Sequence, residues 1–239
     1  MTKQQRAART RQALIEAAAG EFDRVGYQGS SLARISEAAG VTLGALTFHF
    51  PAKQRLCAAV RLEGYERTCR AVEHLTGQAP PGILSGVRLT RALVTLLEEE
   101  AVVRASARIS RELPGAGPCW ESAWRGALHR MIEAGAAQEL RPEVCAAAVS
   151  ALAGHLVNGA EAQLRAEAGA GRGFAGVRLT QMWELVLYGV LGAGVVVGMR
   201  PPPGADEGPL LFGAPVAPVV QTALQPPSTG TAPPVMNDA

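Results

Sequence analysis

Residues 30–53, with the sequence SSLARISEAAGVTLGALTFHFPAK, constrain the fold of this chain more than any other stretch. Either serine at its start can cap a short helix whose apolar residues fall on one face. Gly40 lies where a helix ends with a positive φ, and Thr42 can cap a second short helix. We expect Leu46 of that helix to point inward, and Pro51 to supply the first-turn φ of a third helix. The stretch therefore predicts a helix-turn-helix.

The second helix of this motif, residues 43–48, would present small and polar side chains. The residues expected at its exposed surface are Gly44, Ala45, Thr47 and His49. Small side chains let a helix enter a major groove about 12 Å wide, and polar groups can hold phosphates. Residues 1–55 also hold eight basic and four acidic side chains, although the whole chain has a net charge of only +2. A basic N-terminal region suits a polyanion such as double-stranded DNA.

Composition favours an all-α fold. Hydrophobic residues make up 48% of the chain and aromatic residues 5%, and the alternation typical of strands is weak. Outside the motif, periodicity and breakers predict helices at residues 9–25, 51–75, 84–100, 102–113, 119–135, 142–169 and 179–199. The last 40 residues contain ten prolines and no periodicity, which is typical of a disordered tail.

Several classes of function find no support in the sequence. The four cysteines are scattered without metal-binding spacing, so we expect reduced thiols and no metal site. No nucleophile elbow, phosphate-binding glycine loop or paired carboxylates are present, so we expect no catalytic residues and no cofactor. The longest uncharged apolar run, residues 185–199, is shorter than the roughly 20 residues that span a bilayer. Without a signal peptide either, the chain is expected to be cytoplasmic and not membrane-bound.

Residues 3–60 resemble the DNA-binding domain of the TetR family of transcriptional repressors. The resemblance rests on FDRVGYQGSSL followed by RISEAAGVTLGALTFHFPAKQRL, and the opening KQQRAARTRQALIEAAAGEFDRVGY is most similar to γ-butyrolactone receptors of actinobacteria. It implies an all-α homodimer that binds palindromic operator DNA and is released by a small molecule. It implies phosphate contacts from Ser31, Thr42, His49 and Lys53, and base-edge or groove contacts from Arg34, Leu43, Gly44 and Ala45.

One residue departs from the family pattern. Most members carry tyrosine where this chain has Thr47, which can still donate one hydrogen bond to a phosphate but has a shorter reach and cannot stack. The form GALTFHF is associated with pseudo-receptors, which often respond to antibiotics or biosynthetic intermediates. The expected effector is therefore a γ-butyrolactone or such a compound.

With the resemblance, the chain divides into a helix-turn-helix domain at residues 1–55, a ligand-binding and dimerisation domain at 56–199 and the tail at 200–239. In the second domain Trp124, or else Trp120, is expected to line a ligand pocket, because an indole suits a lactone or polyketide ring. Either indole could instead be ordinary core.

The last two long helices are apolar over wide arcs, which predicts a four-helix interface between two copies; one buried helix inside a monomer is the alternative. A drug-efflux repressor that senses lipophilic compounds and a DNA-coating protein without a ligand are the alternative functions.

Overall fold

The computed structural model describes residues 2–115, 117–166 and 175–191. Within these ranges the chain forms nine α-helices and no β-sheet, which confirms the all-α prediction. The helices are α1 (Lys3–Gly29), α2 (Leu32–Ala38), α3 (Leu43–His49), α4 (Lys53–Gln78), α5 (Ile83–Glu99), α6 (Ala101–Glu112), α7 (Arg125–Glu139), α8 (Ala146–Ala166) and α9 (Ala175–Val190). The predicted tail at 200–239 and the last residues of the predicted helix 179–199 lie outside the described residues.

The first helix is longer than its apolar pattern predicted. It starts at Lys3 instead of residue 9, because Thr2 and Gln5 form a reciprocal capping box. Its last turn continues past Gly26, whose φ of 75° interrupts the helical backbone. A Cβ at Gly26 would lie 2.5 Å from Glu112 Oε1, so this glycine also allows α1 to approach α6 closely.

The long helix α4 connects the helix-turn-helix to the rest of the molecule. It begins at Lys53, with Ala52 as N-cap, so Pro51 precedes the helix and is not part of its first turn. Halfway along, Gly64 is buried against α6, and the Ser106 hydroxyl donates a hydrogen bond of 2.8 Å to the Arg61 carbonyl. A rise of 1.5 Å per residue makes α4 about 39 Å long.

Helix α6 lies at the centre of the described structure and packs on both α1 and α4. Its buried Arg104 forms an ion pair of 2.7 Å with Asp23 of α1 and donates hydrogen bonds to two carbonyls at the end of α5. The Arg108 side chain donates to the Asp23 carbonyl, and Glu112 accepts from the Tyr27 backbone N–H at 2.8 Å. Three polar contacts therefore hold α1 against α6.

Helices α5, α7, α8 and α9 pack together in the second half of the molecule. The predicted helix at 119–135 is divided, because Trp120–Ala123 form a 3₁₀ turn before α7. The prediction that a helix starts at Pro142 is wrong, since α8 starts at Ala146. The Arg141 N–H donates instead to the Val190 carbonyl at 3.0 Å, a pairing with the end of α9 that local sequence does not reveal.

None of the helices in the described part of the chain is long and apolar enough to cross a membrane.

Candidate functional site

The helix-turn-helix has the predicted caps. Ser31 accepts a hydrogen bond from the Arg34 N–H at 3.2 Å, and Thr42 accepts one from the Ala45 N–H at 3.1 Å. Gly40 adopts a φ of 66° between the two helices, as a tight left-handed turn requires. Leu46 is fully buried against the core, so α3 is fixed with its opposite face outward.

The outward face of α3 brings most of the predicted contact residues together. Thr42, Leu43, Gly44 and Thr47 are exposed, while Ala45 and His49 are partly covered. The Thr47 hydroxyl donates to the Gly44 carbonyl at 3.1 Å, so a bond to phosphate would require this hydroxyl to rotate.

Phe48 is a prominent feature of this face and is not among the predicted contact residues. Its side chain is 82% exposed and meets the His49 ring edge-on at 5.4 Å between centroids. An aromatic ring at this position gives the end of α3 a large apolar contact area. The signal that could have identified it is its place between two polar residues that were both expected to be exposed.

The two predicted basic contacts are both engaged within the protein. Arg34 forms an ion pair of 2.7 Å with the buried Glu21. Lys53 donates to the Ser30 carbonyl at 2.7 Å, and its ammonium lies 4.5 Å from the centre of the Tyr27 ring. A lysine ammonium has three donors, so Lys53 keeps donors for a phosphate while its stem is held at the start of α4.

Cys57 lies one turn after Lys53 on α4, and its side chain is buried. Burial raises the pKa of the Cys57 thiol to about 11. The pKa of the Tyr27 hydroxyl is also raised, through burial and the nearby Cys57. Both groups therefore stay neutral at physiological pH. The positive charge near the start of α4 comes from lysine and arginine side chains.

The two tryptophans predicted for the ligand pocket lie side by side and are both buried. Their ring centroids are 5.5 Å apart with an edge-on geometry. Trp120 Nε1–H donates to Thr68 Oγ1 at 3.0 Å, so its indole is fully satisfied in the core. Trp124 Nε1–H has no hydrogen-bond partner in the described part of the chain. Buried polar groups are nearly always paired, so this donor can serve a partner that the described residues do not supply.

A cleft of about 690 Å³ opens nearby between α4 and α7. It is lined by Cys69, Val72, Glu73, Thr76, Ala79, Pro81, Ser122, Ala123, Gly126, Ala127, Arg130, Met131 and Ala134. Neither indole lines this cleft, although its wall includes Ala123 and Gly126, which lie one residue before and two residues after Trp124 in sequence. One turn before the lining residue Cys69 on α4, a hydrogen bond with Cys69 raises the pKa of Tyr65. The α4 helix thus carries the cleft at one end and the helix-turn-helix at the other.

Comparisons with known proteins agree with this architecture. Residues 14–60 match the bacterial regulatory proteins of the tetR family. The A-factor receptor protein of Streptomyces griseus is 29% identical over 205 residues, which cover 84% of this chain and 71% of that receptor.

Two solved structures resemble about four fifths of the chain. CprB from Streptomyces coelicolor, solved in complex with its biological operator sequence, is 27% identical with a TM-score of 0.67 over 80% of this chain and 96% of CprB. A γ-butyrolactone receptor described as ArpA-like is 29% identical with a TM-score of 0.65 over 80% of this chain and 92% of that receptor. Residues 14–60, which include the outward-facing α3, match the tetR family of bacterial regulatory proteins, and α1–α3 form the DNA-binding head. With regulators as its relatives, the chain is a DNA-binding regulator of transcription.

Proposed function

We propose that this regulator is a repressor that binds a palindromic operator as a homodimer and releases it when a γ-butyrolactone, an antibiotic or a biosynthetic intermediate enters its second domain. One observation carries the proposal: the continuous helix α4 follows α3, whose outward face can contact DNA, and the far end of α4 lines the cleft. A ligand at the cleft end of α4 can then act on the DNA end of the same helix. Its operator would be chromosomal, so the site of action would be the cytoplasm.

On the DNA, α3 would enter the major groove with Leu43, Gly44 and Ala45 against base edges. Ser31, Thr42, Thr47, His49 and Lys53 would hold phosphates, and Arg34 would join the groove contacts by leaving or sharing its ion pair with Glu21. Two such heads would have to lie one helical turn apart, about 34–36 Å, to reach both half-sites. This geometric requirement makes release possible through a small change in head spacing.

The last two long helices support the dimer. Large apolar side chains are exposed on them, namely Leu152 on α8 and Val177, Met182, Leu185 and Tyr188 on α9. Leu185 is 71% exposed and Tyr188 is 62% exposed, which is unusual for two residues one turn apart on a helix of a soluble protein. Packing this face against a second copy would form the proposed four-helix interface.

The unsatisfied Trp124 Nε1–H supports an effector that offers a hydrogen-bond acceptor, such as a lactone or polyketide carbonyl. The indole face would provide the apolar surface that the ring of such a ligand needs. The cleft between α4 and α7 would provide the way in, because it reaches the sequence neighbours of Trp124.

The test is an operator-release screen that compares γ-butyrolactones with antibiotics and their precursors. An operator duplex is first selected from random DNA with the wild-type protein, and release is followed by fluorescence anisotropy. Trp124→Phe removes the donor but keeps an aromatic ring, so it should raise the effector concentration for half-release by about 3- to 10-fold, the value of one hydrogen bond. Operator affinity should stay the same.

Trp183→Phe is the matched control, because Trp183 is equally buried but its Nε1–H already donates to Thr90 at 2.8 Å. This variant should leave the effector response unchanged. If Trp124→Phe and Trp183→Phe respond alike, Trp124 is ordinary core. If no compound in any class causes release, the ligand-responsive part of the proposal is wrong.

A further inference from the structure

The basic arm, defined here as residues 2–13, is a helical extension of the head that precedes the family match at residue 14. Thr2 Oγ1 accepts from the Gln5 N–H at 3.3 Å, and the Thr2 N–H donates to Gln5 Oε1 at 2.9 Å. The core does not need this extension, because the first buried residue of α1 is Leu14. Residues 2–9 are therefore a capped helical segment that is exposed to solvent and contributes nothing to the core.

The charge of the basic arm opposes the dipole of its own helix. Lys3, Arg6, Arg9 and Arg11 all lie in the first three turns of α1, and none forms an ion pair in the described part of the chain. The first acidic residue, Glu16, already accepts a hydrogen bond from Gln12 at 3.2 Å. Cations near a helix N-terminus are unfavourable, because that end carries partial positive charge. An external polyanion would turn this cost into a favourable interaction.

The basic arm leaves the head beside the recognition helix. The Arg11 guanidinium lies 5.2 Å from the centre of the Phe50 ring, and Phe50 is the residue that ends α3. From Arg11 back to Lys3 the helix extends for about 12 Å, which is the axial rise of three to four base pairs of DNA. Arg11 thus ties the arm to the end of α3, and residues 2–9 of the arm are exposed to solvent.

We propose that the basic arm binds DNA phosphates that flank the half-site read by α3. This inference rests on the proposed operator binding and adds a second contact region to each head. Lys3, Arg6 and Arg9 would make these contacts, while Arg11 fixes the direction of the arm against Phe50. Contacts from lysine and arginine to phosphates increase affinity and carry no sequence information.

The size of the effect follows from counterion release. Each neutralised phosphate contributes about 0.9 to the slope of log affinity against log salt concentration. Replacing Arg6 and Arg9 removes up to two phosphate contacts per head, so the slope for a dimer should fall by about 2 to 4. Between about 50 and 200 mM salt, a slope change of that size corresponds to a roughly 15- to 250-fold difference.

The experiment compares Arg6→Gln/Arg9→Gln with the matched control Arg70→Gln/Arg91→Gln in the full chain. Glutamine is a good helix former, and far-UV circular dichroism checks that the helix content is kept. Arg70 and Arg91 are exposed on α4 and α5 and form no ion pair among the described residues, so the control removes the same charge away from the head. Binding is measured by anisotropy across the salt range on two selected duplexes, the palindrome alone and the palindrome with about four flanking base pairs of arbitrary sequence at each end.

We expect the wild type and the control to bind the flanked duplex more tightly than the palindrome alone. The arm variant should lose this preference, and its salt slope should be smaller by about 2 to 4. Discrimination between the operator and a scrambled duplex should not change. Equal slopes for the arm variant and the control would overturn the inference while leaving operator binding intact. Arm-dependent binding to phosphatidylserine vesicles without any change of DNA slope would overturn it in favour of a membrane surface. If no duplex can be selected with the wild type, it is the proposed function that fails.

Discussion

The contact between α4 and α6 at Gly64 gives the sharpest stability prediction. A Cβ at this position would lie 2.5 Å from both Ser106 Cβ and the Val102 carbonyl oxygen, well inside van der Waals contact. The Val102 carbonyl belongs to the backbone of α6 and cannot rotate away. Gly64→Ala must therefore push the two helices apart. Gly77 lies on the same helix with nothing within 4 Å of its Cβ position, so Gly77→Ala is the matched control.

The two substitutions should have opposite signs. Overpacking costs about 1–3 kcal/mol, and the rigid backbone contact at Gly64 puts the cost near the upper end. Alanine recovers about 1 kcal/mol of helix propensity, so the net loss at Gly64 is about 2 kcal/mol. For a chain of this size that lowers Tm by about 4–8 °C. At Gly77 only the propensity changes, which should raise stability by about 0.5–1 kcal/mol.

Thermal unfolding followed by circular dichroism measures both variants, at equal protomer concentration because a dimer makes Tm concentration-dependent. A chemical denaturation series gives the free energy of unfolding independently. If Gly64→Ala were as stabilising as Gly77→Ala, the close crossing of α4 and α6 would be wrong. A loss at both positions would show instead that α4 tolerates no change in its glycines, and the packing argument would fail as well.

Two further predictions concern the head. Because burial raises the Cys57 pKa to about 11, the unfolded chain loses this proton first, so the free energy of unfolding should fall as pH rises from about 8.5 towards 11. The raised pKa of Tyr27 lowers the free energy of unfolding in the same direction, so Cys57→Ala should remove only part of the decrease. Denaturant titrations across this pH range measure it, and an unchanged pH profile in Cys57→Ala would contradict the raised pKa of Cys57. Replacing Lys53 with alanine should reduce the salt slope of operator binding by about one per head without changing sequence preference, and a selective loss for one base pair would make it a base contact instead.

Local patterns were sufficient to predict the helix-turn-helix. Gly40, the caps at Ser31 and Thr42 and the inward Leu46 all follow from rules that operate within a few residues, and the structure shows each of them. The order of the later helices was also predictable from periodicity. Their ends were not, because a start such as Ala146 depends on backbone pairing with residues about 50 positions away.

The chemistry of the second domain was the least predictable part. The sequence identified two tryptophans as candidates, but only the fold shows that Trp120 is satisfied by Thr68 whereas Trp124 is not. Between the predicted helices at 102–113 and 119–135 the sequence indicates no specific contact. In the structure, Arg61 is buried and donates hydrogen bonds to three carbonyls around this connection, those of Leu113, Gly117 and Pro118, at 2.7–3.0 Å. A buried arginine with only carbonyl partners leaves no charge pattern in a sequence.

The contacts of α4 and α6 with the head limit how a change in the second domain can move α3. The head is held twice, by α4 through the continuous helix from Lys53 and by α6 through Arg104 and Asp23. If α4 alone moved, the α6 contacts would resist, since breaking a buried ion pair costs about 3–5 kcal/mol. If α4 and α6 moved together, the close crossing at Gly64 would carry α1 and α3 with them and no buried pair would break. Joint movement of α4 and α6 costs less free energy, so an effector in the proposed site should rotate the head together with both helices. Because Gly64→Ala disturbs the crossing of these helices, it should weaken release by the effector as well as stability.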